Sequence, residues 1–462
     1  MAFSRAAMPF PRAEAAVTDL ETPPDSGLKR QLGLATAAAV VVGEVVGVGI
    51  FLTPAAMTKS LGSPLLVLVV WLLSGLMALS GALCYGELAA RFPAAGGGYV
   101  YLREAYGPAL AFLYGWMVFL VLDPGLTAAL AVGAASYVGY AAGLPPAGVK
   151  ALALASVLAL ALVNAGGVRL GGWVVRWLTI LKLALLLFIL AWGLGRGLGD
   201  WSHFAPLAER RAGSPPLGAA LAGGFVSAFF SFGGWWDLSK LGGEVRNPRR
   251  TLPLALVVGV LVVTAVYILT SATFVYLVAP EHVTSGEAFA AQAGEALFGP
   301  AGALFFTCVV VVAVLGSLAA YTMSAPRVYF AMARDGLFLQ AAARLHPRTG
   351  APVRAILMQA ALASLLVLLG TFDQIISYFM FAVVLFITLS VAGLFVLRRR
   401  GEPAEYMTPF YPLTPAVYLS LSAGLLFLLA AGSPLQALAG IGVVALGLPV
   451  YYLFFRRRRE FR

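Results

Sequence analysis

Two apolar segments of this chain are interrupted by glycine at corresponding places. The first contains Gly47 and Gly49 within the run VVGVGIF, and the second contains Gly233 and Gly234 within FSFGGW. A helix broken at bilayer depth is costly because hydrocarbon offers no partner for the freed backbone N–H and C=O groups. Such breaks persist where the backbone lines a cavity, and a matched pair is typical of the binding site of a secondary transporter. We therefore predict a binding site between the two breaks.

The chemistry of a broken helix suits a zwitterion such as an α-amino acid. The N-terminus of a half-helix offers free N–H groups and a positive dipole end, whereas its C-terminus offers free carbonyls. We expect the substrate carboxylate to bind the backbone N–H groups of Val48, Gly49 and Ile50. The ammonium is assigned to four carbonyls, those of Val45, Phe230, Ser231 and Gly233. Phe230, Phe232 and Trp235 would then wall the pocket or close over it.

One lysine lies in the middle of an apolar span. Lys182 stands within the run LTILKL at residues 178–183. A lysine at this depth costs a few kcal/mol on insertion scales and indicates a functional site by default. The alternative, a lysine that snorkels to the interface, is disfavoured by the apolar residues that follow it. A buried lysine also changes its protonation state readily, which opens a route to proton coupling.

Three acidic residues fall within apolar spans. Glu44, just before the first break, could pair with Lys182, carry a proton, face a cationic substrate or be satisfied by neighbouring backbone. Asp123 precedes a proline and is either a hydrogen-bond partner at a kink or a polar contact in the pocket. Asp237 is interpreted as a gate or packing residue. The three histidines, His203, His282 and His346, all fall in predicted loops, so we expect no catalytic residue, metal site or cofactor.

Composition predicts an all-α integral membrane protein. Of 462 residues, 61% are hydrophobic and only 11% are charged, which leaves too little polar surface for a soluble globule of this size. Stretches long enough to cross the hydrocarbon predict twelve transmembrane helices, near residues 33–58, 65–90, 107–141, 149–167, 172–195, 217–240, 252–279, 301–325, 353–370, 375–397, 414–431 and 436–455. The long stretch at 107–141 is interpreted as one tilted or kinked helix.

Charge asymmetry predicts the orientation. Most of the 31 Lys and Arg residues, Lys240 and Arg327 among them, fall in predicted loops on the side that holds both termini. The opposite side receives Lys59, Lys150, Arg196, Arg210 and Arg211. Both termini are therefore predicted to be cytoplasmic in a multi-pass protein of the cytoplasmic membrane. Because these basic residues are scattered and form no groove with stacking aromatics, we expect no nucleic-acid partner beside the lipid bilayer.

Several motifs then carry a family resemblance. The chain resembles the amino acid, polyamine and organocation superfamily, and especially its L-type amino acid transporter branch. The resemblance lies in GVGIF at 47–51, YGEL at 85–88 with Arg91 and Pro93, GGGY at 96–99, GP at 107–108, LYGW at 113–116, Glu244 with NP at 247–248 and Pro253, RVY at 327–329, and ARDG at 333–336.

The resemblance implies two inverted five-helix repeats of the LeuT type, with discontinuous helices 1 and 6, followed by two extra helices. The expected boundaries are a cytoplasmic tail at 1–31, repeats at 32–200 and 201–397, and helices 11 and 12 with a basic tail at 398–462. In sodium-independent members a helix 5 lysine stands where sodium-coupled relatives bind a cation. Lys182 would fill that role by tying helix 1 to helix 8, through Ser317 or Tyr321.

The resemblance also implies a function, an alternating-access amino acid transporter that is not an enzyme. Exchange and proton symport stay open as modes. Val48 and Trp236 replace polar residues of the family pattern, which favours neutral substrates, with cationic amino acids or polyamines as an alternative. A membrane amino acid sensor without sustained flux is a further alternative. Animal relatives carry a cysteine in the loop corresponding to 143–147, and this chain has none there, so we expect no disulfide-linked heavy chain; the oligomeric state is open.

Overall fold

The protein is described from a computed structural model that covers residues 27–211, 213–279, 294–295, 297–370, 372–401 and 404–455. The predicted tails at 1–26 and 456–462 and the residue His282 lie outside the described residues. Within the described residues the secondary structure is helical, and no strand is formed beyond two isolated bridges. Ten described helices are long and apolar enough to cross a membrane.

The helices follow the order of the predicted spans. In chain order they are α1 (Leu34–Val45), α2 (Gly49–Leu61), α3 (Pro64–Arg91), α4 (Gly98–Tyr106), α5 (Pro108–Ala142), α6 (Pro146–Ala165), α7 (Val168–Gly195), α8 (Leu217–Phe232), α9 (Pro248–Leu277), α10 (Gly302–Ser324), α11 (Pro326–Arg334), α12 (Val353–Leu369), α13 (Phe372–Arg399), α14 (Leu413–Gly432) and α15 (Pro434–Phe455). The short apolar helices α1 and α12 occupy the first and ninth predicted spans.

Both predicted helix breaks are confirmed. α1 ends at Val45 and α2 begins at Gly49, with a tight turn between them in which the Gly47 N–H donates to the Val45 carbonyl at 2.8 Å. α8 ends at Phe232, and after two glycines the chain continues as a 3-10 segment, Trp235–Lys240. Gly234 has a φ of +106°, a backbone conformation that favours glycine. The second break therefore contains one residue, Gly234, at which an L side chain would be strained.

α5 is continuous from one end to the other, as the prediction of a single kinked helix requires. Its central turn, Val118–Leu122, has π-helical hydrogen bonding immediately before Asp123 and Pro124. Proline has no N–H, and its ring clashes with the carbonyl four residues earlier, so a regular α-helical ladder cannot pass through this point. The wide turn absorbs that mismatch and keeps the helix in one piece.

Glycines allow three helices to pack closely around α1. A Cβ at Gly259 of α9 would lie 2.5 Å from Val41, and a Cβ at Gly43 would lie 2.8 Å from the Thr179 hydroxyl of α7. α10 packs on the remaining side of α1. Small residues at such interfaces let helix backbones approach each other in a membrane, where no hydrophobic force drives helices together. The first break is thus held by α7, α9 and α10.

Candidate functional site

A cavity of about 80 Å³ lies between the two helix breaks. Backbone from both breaks reaches its wall, and six predicted substrate-contact residues are among its lining. The lining residues are Glu44, Val45, Gly47, Val48, Gly49, Leu122, Leu126, Leu130, Phe229, Phe230, Ser231, Gly233, Trp236, Tyr321, Met380 and Val383. The site is therefore mostly apolar, with polar groups supplied by the backbone and by a few side chains.

The breaks touch each other at Gly49 and Ser231. A Cβ on Gly49 would lie 2.8 Å from the Ser231 hydroxyl oxygen and 3.1 Å from its Cα. Because that approach is too close for any side chain, only glycine lets the two backbones meet here. Gly49 begins α2, so the first N–H groups of this half-helix have no preceding turn to bond. Ile50 is fully buried and is not part of the cavity wall.

Tyr267 of α9 joins the two breaks. Its hydroxyl lies 2.7 Å from the Val45 carbonyl oxygen and 2.8 Å from the Ser231 carbonyl oxygen. The ring packs edge-on against Trp71 and Phe232, with centroids 5.0 and 5.2 Å away. The sequence does not point to this residue, because a tyrosine in an apolar span carries no periodic signal that distinguishes a hydrogen-bonding bridge from packing.

The bridge bears on the carbonyls that were predicted to bind an ammonium. A phenol hydroxyl has one proton, so Tyr267 donates either to the Val45 carbonyl or to the Ser231 carbonyl at any one time. The Val45 carbonyl also accepts from the Gly47 N–H at 2.8 Å, and the Phe230 carbonyl accepts from the Gly233 N–H at 3.1 Å. Because a carbonyl oxygen has two lone pairs, these bonds do not close any of the three carbonyls to a further donor.

The predicted aromatic wall lines this cavity only in part. Phe230 lines the cavity, but Phe232 and Trp235 instead line a second cavity of about 210 Å³ between α3, α8 and α14. Trp236 takes their place at the cavity between the breaks, where it stacks on Phe229 at a centroid distance of 6.3 Å. Trp235 and Trp236 are neighbours in a 3-10 segment, in which successive residues are about 120° apart, so their side chains face different sides.

Lys182 is fully buried, and its ammonium lies against the end of α1. Nζ donates to the carbonyl oxygens of Gly43 at 2.9 Å, Val46 at 2.7 Å and Ala313 of α10 at 3.1 Å. Ser317 lies at 3.5 Å and donates its hydroxyl to the Gly43 carbonyl at 2.8 Å. The three donors of the ammonium therefore have three carbonyl acceptors, and these tie the first break to α10.

Two suggested partners of Lys182 are not its partners here. The ion pairs of the described residues do not include one between Lys182 and Glu44. Tyr321 lies on the cavity wall instead, where a Cβ at Gly234 would be 3.2 Å from its hydroxyl and 3.1 Å from the Cβ of Glu44. Glu44 is 3% exposed, and neither carboxyl oxygen has a hydrogen bond of ordinary geometry, although the Ser324 hydroxyl faces it.

Lys240 was predicted in a loop, but it lies at the end of the 3-10 segment and is buried. Lys240 is 1% exposed, and its ammonium lies 3.1 Å from a carboxylate oxygen of Asp123 and 3.0 Å from one of Asp237. The Tyr329 hydroxyl donates to Asp123 at 3.2 Å. Asp123 therefore makes structural hydrogen bonds at the kink, which join α5 to the 3-10 segment and α11, and it does not line the cavity. Helical spacing brings Asp237 and Lys240 onto one side of the segment. Nothing in the sequence indicates that Asp123, which is distant along the chain, joins them.

A second buried ion pair lies at the face where α1 begins. Arg327 is fully buried and binds both carboxylate oxygens of Glu244, at 2.7 and 3.0 Å. The Glu244 carbonyl accepts from the N–H groups of Gln31 and Leu32. Arg327 was also predicted in a loop. We call this pair, together with the Lys240, Asp123 and Asp237 cluster, the closed face.

Another polar contact braces the same face. The Tyr99 hydroxyl of α4 donates to Asp335 at 2.7 Å, and Arg103 binds the same carboxylate. Burial, with the neighbouring Asp335 carboxylate as a second cause, raises the pKa of Tyr99 well above its usual value, so its hydroxyl stays a donor. These contacts connect α4 to the turn after α11.

A larger cavity, of about 350 Å³, lies on the other side of the site. It shares Phe230 and Met380 with the binding cavity and extends to Ser433, between α14 and α15, and to Thr53 of α2. Because the two cavities share these two residues, the cavity between the breaks adjoins a cavity on the side opposite the closed face. No group of His, Cys, Asp and Glu in the described part of the chain is arranged to hold a metal ion.

The chain resembles known proteins over most of its length. The amino acid permease family matches residues 32–453. The chain is similar to the serine/threonine exchanger SteT of Bacillus subtilis (strain 168), with 33% identity over 446 residues, covering 94% of this chain and 99% of that protein. It is 29% identical over 440 residues to the b(0,+)-type amino acid transporter 1 of Homo sapiens, covering 94% and 90% of the two chains.

A third relative is the large neutral amino acids transporter small subunit 2 of Homo sapiens, 30% identical over 433 residues, covering 92% of this chain and 80% of that protein. These relatives are transporters and exchangers, which supports amino acid transport rather than enzymatic catalysis. With its apolar helices, this chain is a multi-pass membrane protein. It belongs to the amino acid permease family of the amino acid, polyamine and organocation superfamily, with the L-type resemblance that its motifs predict.

Proposed function

We propose that this protein moves neutral amino acids across the cytoplasmic membrane by alternating access, without sodium, as an exchanger or a proton symporter. The observation that carries the proposal is the cavity walled by backbone from both helix breaks. A zwitterion needs an N–H cluster and a carbonyl cluster a few ångströms apart, and two broken helices that touch at Gly49 and Ser231 supply both.

Substrate recognition follows from the backbone. The carboxylate binds the N–H groups of Val48, Gly49 and Ile50 at the start of α2. The ammonium binds carbonyls of the second break, at Phe230, Ser231 and Gly233. The side chain then meets apolar walls, and a cavity of about 80 Å³ favours a small one. The name of one relative, a serine/threonine exchanger, is in line with a small substrate.

A second substrate class has one observation in its favour. Glu44 belongs to the cavity lining, and a carboxylate there would suit a cationic amino acid or a polyamine. Both Glu44 oxygens are, however, shielded from the cavity surface in this conformation. Neutral substrates are the better match for the apolar remainder of the wall.

Sodium independence is supported by the environment of Lys182. Its ammonium already fills the carbonyl cluster formed by Gly43, Val46 and Ala313. Carbonyl oxygens gathered around the end of a broken helix are what a sodium ion would need. Since a tethered ammonium occupies them, it supplies the link between the first break and α10 that an ion supplies elsewhere.

The proposed architecture is twelve membrane spans with both termini in the cytoplasm. Two five-helix repeats, at 32–200 and 201–397, each begin with a broken helix, and the region 398–462 adds two helices. The positions of the two breaks and the two shorter apolar helices beside ten longer ones support this division. In this arrangement the closed face is cytoplasmic, so the conformation described has its cavity directed outward.

The proposal is tested with the purified chain in liposomes. Radiolabelled L-serine, L-alanine, L-leucine, L-lysine and putrescine are offered in sodium-free buffer to vesicles that are empty or preloaded with the same compound. We expect uptake of the small neutral amino acids, unchanged when sodium is added. Uptake of none of the compounds, or uptake only with sodium, contradicts the proposal. A preference for lysine or putrescine would replace the neutral substrate class with the cationic one.

A further inference from the structure

Two ionisable side chains face the first break, and they differ in their partners. The Lys182 ammonium donates to three backbone carbonyls, so each of its N–H groups is used. The Glu44 carboxyl is equally buried, yet neither of its oxygens has a hydrogen bond of ordinary geometry within the described residues. A carboxylate in such a place has lost its water and gained nothing that replaces it.

Charged and titratable groups of four neighbouring elements interact electrostatically with Glu44. They are Asp237 and Lys240 of the 3-10 segment, Asp123 of α5, Lys182 of α7, and Tyr321 with the hydroxyl of Ser324 on α10. Neither nearby cation is free for Glu44. Lys240 is bound by two carboxylates, and Lys182 is bound by backbone carbonyls.

The charge balance of this group is uneven. If every member is ionised, three carboxylates, Glu44, Asp123 and Asp237, face two ammonium groups. One negative charge then has no counterpart in the membrane interior. The effective penalty for an unpaired buried ion is several kcal/mol, and such groups neutralise by changing protonation state. Of the three carboxyls, only Glu44 lies outside the Lys240 cluster, so it is the one that holds the extra proton.

The position of Glu44 links this proton to the movement of the transporter. Glu44 lies on the cavity wall and faces the Lys240 cluster of the closed face. Its Cβ is 3.1 Å from the place that a Cβ on Gly234 would occupy, so α1 and the 3-10 segment are in direct contact here. Opening the closed face separates these two elements and admits water to the Glu44 carboxyl.

We propose that Glu44 is the proton carrier of this transporter and that one proton crosses the membrane with each amino acid. This inference rests on the proposed transport function and assigns its coupling. When the closed face opens, the O–H bond of Glu44 breaks and the proton passes to a water molecule on that side, leaving a hydrated carboxylate. The carboxyl takes up a new proton when the site returns to the other side. Lys182 stays charged and serves as a tether.

The test uses the full chain in proteoliposomes, with wild type, Glu44→Gln and the matched surface variant Glu405→Gln. Glu405 is an exposed carboxyl, paired with Arg249. L-alanine and L-serine are the probes. Exchange is measured at equal pH on both sides, and net uptake is measured into empty vesicles with the outside about 1.5 pH units more acidic. With one proton per substrate, that gradient supports accumulation of up to about 30-fold. A trapped pH indicator reports proton entry.

We expect wild type and Glu405→Gln to accumulate substrate and to acidify the vesicle interior, with both effects abolished by a protonophore. Glu44→Gln should show no accumulation and no substrate-driven acidification, and its exchange at equal pH is measured alongside. Coupling that persists in Glu44→Gln overturns the inference, as does wild-type exchange that ignores the gradient. Absence of exchange in wild type instead removes the proposed function.

Two further outcomes are decisive. If Glu44→Gln prefers neutral substrates where wild type prefers L-lysine, Glu44 recognises a cationic side chain and the inference is wrong. If Glu44→Gln is inactive in exchange, Glu44→Asp decides the matter. This variant keeps a carboxyl at a different depth, so the pH profile of its net uptake should be displaced from that of wild type. An identical profile overturns the inference.

Discussion

The ammonium of Lys182 lies 2.7 Å from the backbone carbonyl oxygen of Val46, inside the break between α1 and α2. A side chain of α7 thus supplies hydrogen bonds that the first broken helix has lost. Because α10 contributes the Ala313 carbonyl to the same ammonium, Lys182 links the break to two other helices at once.

Replacing Lys182 with methionine should abolish transport. The change leaves buried carbonyls without donors, at about 1–3 kcal/mol for each unsatisfied group, and it releases the first break from α10. We expect a loss of more than tenfold in exchange rate and a lower melting temperature. The control is Lys59→Met, at an exposed lysine. Full transport by Lys182→Met with unchanged cation dependence would show that the tether is not needed.

Removing the Tyr267 hydroxyl isolates the bridge between the two breaks. Tyr267→Phe keeps the ring contacts with Trp71 and Phe232 but deletes the donor to the carbonyls of Val45 and Ser231. We expect a destabilisation of about 1 kcal/mol and weaker substrate binding, measured by thermal unfolding and by ligand-induced stabilisation. Tyr140→Phe, at an 88% exposed tyrosine, serves as the control. If the two variants have the same stability and the same ligand-induced stabilisation, the Tyr267 hydroxyl makes no contribution and the residue only packs.

Gly234→Ala should prevent formation of the second break. Its φ of +106° is strained for alanine, and the added Cβ would lie 3.1 Å from Glu44 and 3.2 Å from the Tyr321 hydroxyl. We expect transport to be lost while the protein still inserts in the membrane. Gly223→Ala in α8 is a matched control, because nothing lies within 4 Å of its added Cβ. Similar activity in both variants would contradict the described backbone at this break.

The Lys240 cluster predicts strong coupling between distant residues. Breaking a buried ion pair by removing one partner costs about 3–5 kcal/mol, so Lys240→Met alone should destabilise severely. Asp123→Asn introduced with it removes one of the two stranded carboxylates and should recover part of the loss. A double-mutant cycle on thermal unfolding measures this coupling. Additive effects of the two changes would show that Asp123 and Lys240 do not act together.

Much of the fold could be predicted from the sequence, because apolar length and glycine placement are local signals. The two breaks and the continuous helix through Asp123 follow from the residues at those points. Contacts between distant helices could not be predicted in this way. The spacing of residues along the chain indicates neither the Tyr267 bridge nor the pairing of Lys240 with Asp123.

The directions in which side chains point could not be predicted from the sequence either. Trp235 was expected at the cavity, whereas the structure places Trp236 there. Which of two neighbouring side chains faces the cavity depends on the backbone conformation after the glycine pair, and the sequence of that segment does not specify it. Lys240 and Arg327 look like loop charges in a hydropathy profile, but each has carboxylates from other elements that allow it to be buried.

The central claim is that unwound backbone at the two breaks holds a zwitterion. The most direct measurement is a cryo-electron microscopy structure of the chain with the amino acid that gives the largest thermal stabilisation in a screen of the common amino acids. We predict density in the cavity beside Gly49 and Ser231, with the carboxylate within about 3 Å of the N–H groups of Val48, Gly49 and Ile50. An amino acid bound elsewhere, or turned so that its ammonium faces those N–H groups, would contradict the account.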